Sequence, residues 1–476
     1  MSSRALIDEL KKVVGRGRVL SSPEELLCYS YDASPTPPTA PQAVVFPAST
    51  EEVARLLQLS YRLGVPIVPR GTGTGLSGAS VPTGKENVVL CLTGMNRILE
   101  IDAPNLTATV EPGVVTATLH QAVEAQGLFY PPDPASASAC TIGGNVATGA
   151  GGLRALKYGV TRHYVLGLEV VLPQGEVMTT GATTVKNTTG YDLTRLMVGS
   201  EGTLGVFTRI VLHLIPLPPA KKTLLATFRS PAQAAATVSA IVAHRLLPAT
   251  LEFLDGTTIR CVETYARTGL PLSVEALLLI EADGQPEAAD REAEQLASLC
   301  RECGAIQVQV AETPQQAEAL TLARRSVLPA LARASAQQSP GARPALFLED
   351  ATVPPSRLMD MVEAVADIGA KYHVLAGVMG HAGDGNLHPY FLASSREPAE
   401  LAKVEAAVAE MIQAALSLGG TISGEHGIGT AKAAFLPRRV SPAELKVMRL
   451  IKDGLDPKGL LNPGKVFGVA SHAAPR

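Results

Sequence analysis

Along the first half of the chain, apolar positions fall either at helical spacing or in short continuous runs. In "STEEVARLLQLSYRLG", Val53, Leu56, Leu57 and Leu59 recur on one face, which predicts an amphipathic helix. Ser49 or Thr50 stands where a cap is needed, and Glu51 and Glu52 occupy the first turn, where the helix dipole favours negative charge. The run "VPIVP" that follows predicts a short buried strand. Further strands are predicted at "NVVLCL", "ATVEPG", "LGLEVVLPQG" and "GVFTRIVLHLIPL", joined by glycine-rich turns with few long helices between them. That pattern predicts an α+β domain with mixed sheets and argues against a repeating βαβ array. After the proline-rich link "HLIPLPPAKK", a helix "PAQAAATVSAIVAHRLL", a strand "ALLLIEADG" and a helix "EAADREAEQLASLCRECG" predict a second α+β region, with the boundary near residue 217. Within it, "ARASAQQSPGARP" reads as a mobile loop.

Length and composition narrow the class. At 476 residues the chain is too long for one ordinary core and suits two domains. With 46% hydrophobic residues, 18% charged residues and a formal charge of −3, it is globular and offers no electrostatic case for binding nucleic acid. The opening "MSSRALIDELKKVVG" mixes charges into a helical pattern, unlike a signal peptide, and no run reaches membrane-spanning length, so a cytoplasmic protein with no transmembrane segment is expected. Six scattered cysteines suit reduced thiols better than a disulfide framework. Cys300 and Cys303 have no second pair to complete a zinc site.

Three glycine-rich blocks point to a ligand. The loop "PRGTGTGLSG", Pro69 to Gly78, lets backbone N–H groups approach an anion closely. It contains the spacing G-x-G-x-x-G, but Pro82 and Gly84 stand where a dinucleotide fingerprint needs a helix. A Walker frame fails as well, because Ala79 takes the place of the phosphate-gripping lysine. The second block is "PPDPASASACTIGGNVATGAGGLRALKYG" and the third is "GSEGTLG". Giving up side chains in three separated places makes sense if a large, flat, phosphate-bearing ligand lies against the main chain, and FAD is such a ligand. Ser136, Thr141, Asn145 and Thr148 could bond its oxygens, whereas Asp133 could serve only to hold its own loop.

A second constellation suggests a metal. A hairpin centred on Asp384-Gly385 in "VMGHAGDGNLHPYF" would pair His381 directly with His388, with Cβ atoms roughly 5 Å apart on one face. Both rings could then reach one divalent cation. The stretch "GGTISGEHGIGTAK" sets Glu425 beside His426 in a loop too glycine-rich to be a packed element. One of this pair could complete three protein ligands while the other serves as a base; direction rules leave the assignment open. Arg324 and Arg325, on a predicted helix, could grip a carboxylate through a bidentate guanidinium.

Together "VPRGTGTGLSG", "PPDPASASACTIGGNVATGAGG", "GYDLTRLMVGSEGTLGVFT", "HAGDGNLHP", "ISGEHGIG" and "LDPKGLLNPGKVF" resemble the FAD-linked oxidase family of the vanillyl-alcohol oxidase (p-cresol methylhydroxylase) superfamily. Within it they look most like the glycolate oxidase and D-lactate dehydrogenase group. The resemblance runs from about residue 40 to residue 467. It implies an α+β fold: a two-part FAD-binding domain of the p-cresol methylhydroxylase type, residues 1–217 with a C-terminal return over 441–476, and a second α+β substrate cap domain, 218–440. The cofactor contacts it implies are Pro69, Arg70, Gly71, Thr72, Gly73, Thr74, Gly75, Leu76, Ser77 and Gly78 in the first loop. From the second block they are Pro132, Asp133, Ser136, Thr141, Gly143, Gly144, Asn145, Thr148 and Gly149, followed by Glu201, Gly205, Val206 and Asn462. Some superfamily members carry FAD on a histidine of the first loop; this loop has none, so non-covalent FAD is expected.

The resemblance further implies that His381, His388 and Glu425 bind a divalent metal, Zn or Mn by donor type. It makes His426 the base, sets Arg324 against the substrate carboxylate and places Asn386 near the substrate. The activity it implies is FAD-dependent oxidation of a small D-2-hydroxy acid, glycolate or D-lactate, to the 2-oxo acid. Related 2-hydroxyglutarate dehydrogenases have a tryptophan shortly before the arginine and a lysine just before the aspartate of "ALFLEDATVP". Here Thr321, Leu348 and Glu349 stand in those regions, which leaves a second carboxylate unpaired and favours a monocarboxylate. The alternatives are D-2-hydroxyglutarate dehydrogenase-like activity and a flavin electron-transfer subunit active only in a complex. The electron acceptor, an iron–sulfur partner subunit among the options, and the oligomeric state, a homodimer among them, are not identified by the sequence.

Overall fold

The computed structural model describes residues 2–337, 345–393 and 397–468. By compactness the chain divides into two units, one of residues 1–150, 160–217 and 425–476, the other of residues 151–159 and 218–424. The return to the first unit thus begins at residue 425, earlier than 441. The short excursion 151–159 is held within the second unit by Lys157, whose ammonium pairs with Asp283, and by Tyr158 Oη, which donates to Asp283 Oδ2 at 2.8 Å.

The first unit contains a mixed sheet and an antiparallel one. In the mixed sheet Ala43–Val45, Val88–Cys91 and Ile67–Arg70 run parallel, with Val19–Leu20 antiparallel at the edge. The antiparallel sheet has the order Ile98–Asp102, Thr107–Val110, Val206–His213, Val165–Val171 and Val177–Gly181. The predicted helix forms over Thr50–Leu63. Ser49 Oγ accepts from Glu52 N at 3.3 Å, and Gly64 closes the helix in the left-handed region at φ 67°, where a side chain would be strained. Val53, Leu56, Leu57 and Leu59 are buried against helix Ser3–Val14, which contributes Leu6, Leu10 and Val14 to the same core. Strand Ile67–Arg70 delivers the first glycine-rich loop, and no helix follows it before Val88, as Pro82 and Gly84 predict.

The second unit is built on one antiparallel sheet of eight strands among the described residues. Its order is Gln307–Val310, Ala220–Phe228, Ala276–Gly284, Thr250–Asp255, Leu375–His381, Asn386–Ala393 and Ala345–Leu348, with Ala351–Thr352 also pairing to Asn386–Ala393. Ala276–Gly284 is buried along almost its whole length, as the apolar run of residues 276–280 requires of a central strand. Helices Leu358–Tyr372 and Pro398–Ser417 pack on the hairpin strands. The reading of 332–344 as a mobile loop is corrected in part: helix Val327–Gln337 extends through residues 332–337, burying Ser335, because the alanines there are good helix formers. Residues 338–344 lie outside the described residues. No helix among the described residues is long and apolar enough to cross a membrane.

Candidate functional site

In the first unit the separated glycine-rich segments converge. Thr72 Oγ1 donates to Ala139 O at 2.9 Å, and a Cβ at Gly71 would meet Thr141 Oγ1 at 2.5 Å, so the first loop lies directly on the second block. A side chain at Gly73 would strike the Arg70 guanidinium, and its φ of 82° already disfavours one. Gly75 O accepts from Ala33 N, and Arg70 Nη1 bonds Ser80. In the second block Thr141 caps helix Ile142–Thr148, with Gly149 as its left-handed C-cap. Asn145 Nδ2 donates to Thr116 Oγ1 at 2.8 Å, Thr148 Oγ1 bonds Gly144 O, and Gly143 presses on Pro112. Pro132 O meets His120 Nε2 at 2.9 Å, and Ser136 O closes the turn to Cys140 N. Gly205, beside Val206 at the start of its strand, packs on Val170. Several residues expected to face a cofactor therefore spend bonding capacity on holding the loops in shape.

Glu201 is the centre of this convergence. It is buried at a left-handed φ of 52°, rare outside glycine, and its two carboxylate oxygens accept Ile428 N and Gly429 N at 2.7 Å each. Its carbonyl accepts from Asn462 Nδ2, which also bonds Ala79 O, while Ser77 O takes Thr430 N and Ala431 N. Burial pushes the Glu201 carboxyl up, partly offset by those two backbone donors. Burial likewise lowers the Lys465 ammonium to about 8 against the attraction of Asp32 and Glu201; its Nζ donates to Val81 O at 2.5 Å. Among the described residues, Ser77 Oγ, Ser200 Oγ, Thr430 Oγ1 and Asn462 Oδ1 are buried without a hydrogen-bond partner. Buried polar atoms left unpaired are costly, so small donors and acceptors lining a glycine-walled cradle fit a bound, oxygen-rich cofactor such as FAD.

The second constellation is carried by the large sheet. His381 and His388 share one face, but not as a directly opposed pair: His381 is opposite Asn386, and His388 is opposite Met379. The expectation of a two-residue turn at Asp384-Gly385 is thereby corrected. Residues 382–385 form a longer loop in which Asp384 Oδ1 accepts Asn386 N at 3.1 Å and Gly385 takes φ 79°. The slip is two residues, so both imidazoles keep the same face. Their rings meet edge-on, with centroids 5.1 Å apart. At Gly380 a Cβ would meet Leu387 Cα at 2.8 Å, which lets the strands close tightly there.

The chain before Glu425 is tied to the same sheet. Thr421 N donates to Thr352 O, and Asp350 Oδ2 accepts Ser423 Oγ at 2.7 Å and Gly424 N at 2.8 Å. Any side chain at Gly424 would hit Thr352 Oγ1 and the Asn386 amide. One ligand atom from each of His381, His388 and Glu425 lies within 4.8 Å of the others. That donor set, two imidazoles and a carboxylate, fits a divalent cation such as Zn²⁺ or Mn²⁺. His426 is half-buried at the next position, and the chain then turns at Gly427, φ 83°. Arg324 lies in the last turn of helix Pro314–Arg325 and is buried, its Nε donating to Glu252 Oε2 at 2.6 Å.

The residues match the family described as FAD binding domain over 41–181 and that described as FAD linked oxidases, C-terminal domain, over 217–466. The latter spans more than half of the chain. The chain belongs to the FAD-linked oxidase family. It is 49% identical to glycolate oxidase subunit GlcD of Bacillus subtilis (strain 168), over 98% of this chain and 97% of that one. To a D-lactate dehydrogenase of Anaerostipes hadrus it is 38% identical, over 90% and 89%. The fold is that of a solved p-cresol methylhydroxylase, TM-score 0.80 at 18% identity over 99% of this chain and 98% of that one. As a member of this family it is an FAD-dependent hydroxyacid oxidoreductase with an FAD-binding domain and a second α+β domain.

Sequence reasoning missed three contributors. Glu252 carries a signal, a lone acid inside the apolar run "TLEFL" of a strand buried on both faces. Asp350, in "ALFLEDATVP", anchors the segment before Glu425, a role that no local pattern marks. Lys465 stands in "NPGKVF", but nothing local marks it as buried.

Proposed function

We propose that the chain oxidises a small D-2-hydroxy acid, glycolate or D-lactate, to the 2-oxo acid, with non-covalent FAD and a divalent cation, Zn²⁺ or Mn²⁺. The observation that carries this is the clustering of His381, His388 and Glu425 in a chain of the FAD-linked oxidase family. FAD, when bound, supplies the hydride acceptor, and a cation held by those three residues supplies Lewis acidity toward the substrate oxygens. Arg324 uses only Nε internally; its two terminal nitrogens make no hydrogen bond among the described residues and are the ones suited to a substrate carboxylate. His426 takes the proton of the substrate hydroxyl, and Asn386, buried beside His388, orients the substrate. The names of the relatives, glycolate oxidase subunit and D-lactate dehydrogenase, support this substrate class. Leu348 and Glu349, in place of a lysine, favour a monocarboxylate.

Anaerobic addition of glycolate or D-lactate to the purified yellow protein is expected to bleach the flavin band. A His426→Ala protein should keep its flavin and reduce it roughly 10²–10⁴-fold more slowly. Because one relative is named as a subunit, a chain that reacts only within a complex is the second reading; silence of the isolated flavoprotein toward every 2-hydroxy acid would favour it.

A further inference from the structure

A single row of side chains crosses the second unit's sheet. Strand register sets Glu252 opposite His381, His381 opposite Asn386, and Asn386 opposite Thr352, so all four project from one face. Glu252 has no exposed surface. Its Oε1 lies 2.5 Å from His381 Nδ1 and its Oε2 2.6 Å from Arg324 Nε, so each oxygen serves a different partner. At the far end of the row Thr352 Oγ1 donates to Asn386 Oδ1 at 3.0 Å. A buried carboxylate is costly without compensation, and this one is compensated at both oxygens, by His381 at one and Arg324 at the other.

We propose that Glu252 is a positioning residue that couples the cation site to the carboxylate-binding arginine. The inference rests on the reading of His381 as a cation ligand and Arg324 as a substrate contact. By accepting from Nδ1–H, Glu252 sets the tautomer in which Nε2 carries the ligating lone pair, and it fixes the ring plane. By accepting from Nε, it locks the guanidinium so that the terminal nitrogens form a preset fork for a carboxylate. One side chain thus sets the spacing between a residue that would hold the metal ion, His381, and the guanidinium of Arg324, which would take the substrate carboxylate.

The test uses the full-length flavoprotein with Glu252→Gln and Glu252→Asp. The first keeps the shape and replaces one acceptor with a donor; the second keeps the charge but is one methylene too short to span both partners. Zn²⁺ and Mn²⁺ affinities are measured by chelator competition without substrate, and kcat and KM for glycolate and D-lactate at saturating metal. Expected in both variants, with flavin absorbance retained, are a roughly 10- to 100-fold weaker metal affinity and a raised KM that excess metal does not restore, while kcat recovers toward wild type. A merely structural loss would lower flavin content and kcat together and would not produce that split. Wild-type metal affinity and KM in either folded variant overturn the coupling. A wild-type protein that binds neither metal overturns instead the reading on which it rests, so the two failures are distinguishable.

Discussion

Lys465 is a lysine in an environment that resists its charge. Burial lowers its ammonium from 10.5 to about 8. The unfolded chain therefore binds more protons than the folded one between those values, and this group's contribution to stability rises with pH across that window. With the FAD-free protein, denaturant unfolding of wild type and Lys465→Met should show the wild type gaining on the variant as pH rises from about 8 to 10.5. A difference that is flat across that range would contradict the shift. At this scale the candidate metal ligands were legible because His and Glu in glycine-rich surroundings have few structural uses. Glu252 was not, since a lone strand acid declares its partners only when strand pairing brings a histidine opposite it.

The decisive element is the hairpin of Leu375–His381 and Asn386–Ala393. The hairpin and the shared face of its two histidines follow from the Asp384-Gly385 turn signal and the period of two along a strand, but the register does not. A two-residue Asp-Gly turn was the strongest local signal, and the structure instead closes a longer loop around Asp384 and Gly385. Gly385 sits at φ 79°, and a Cβ there would run into Val353 O. Gly385→Ala is expected to destabilise the protein by more than about 1 kcal/mol, from the left-handed backbone cost alone. Urea unfolding at fixed flavin saturation checks this, and an unchanged midpoint would mean the loop can rearrange freely. Helix Thr50–Leu63 shows the opposite case: cap, first-turn charge, apolar face and glycine stop agree locally, and its limits were readable to within a residue.

For the whole molecule, the two cofactor readings draw on different parts of the chain. The cradle comes from residues 69–78, 132–149, 199–206 and 428–465, whereas both histidines proposed as metal ligands, His381 and His388, stand on the sheet of the second unit. A chelator is therefore expected to remove the metal and stop turnover while leaving the flavin absorbance unchanged. Loss of both together on chelation would argue against separate sites. Added FAD should raise the unfolding free energy of the stripped protein by about 2.7 kcal/mol at a hundredfold excess over its dissociation constant.

The sequence by itself determined the two α+β regions, the glycine-rich walls suited to FAD and the residue types able to hold a cation, because these depend on local dihedral freedom, apolar period and donor chemistry. The tertiary structure decided the convergence of distant loops on Glu201, the two-residue offset between the histidines, and the carboxylate that joins His381 to Arg324. Those contacts span from several to hundreds of residues and arise only when strand register and loop packing are settled together, so no local pattern encodes them.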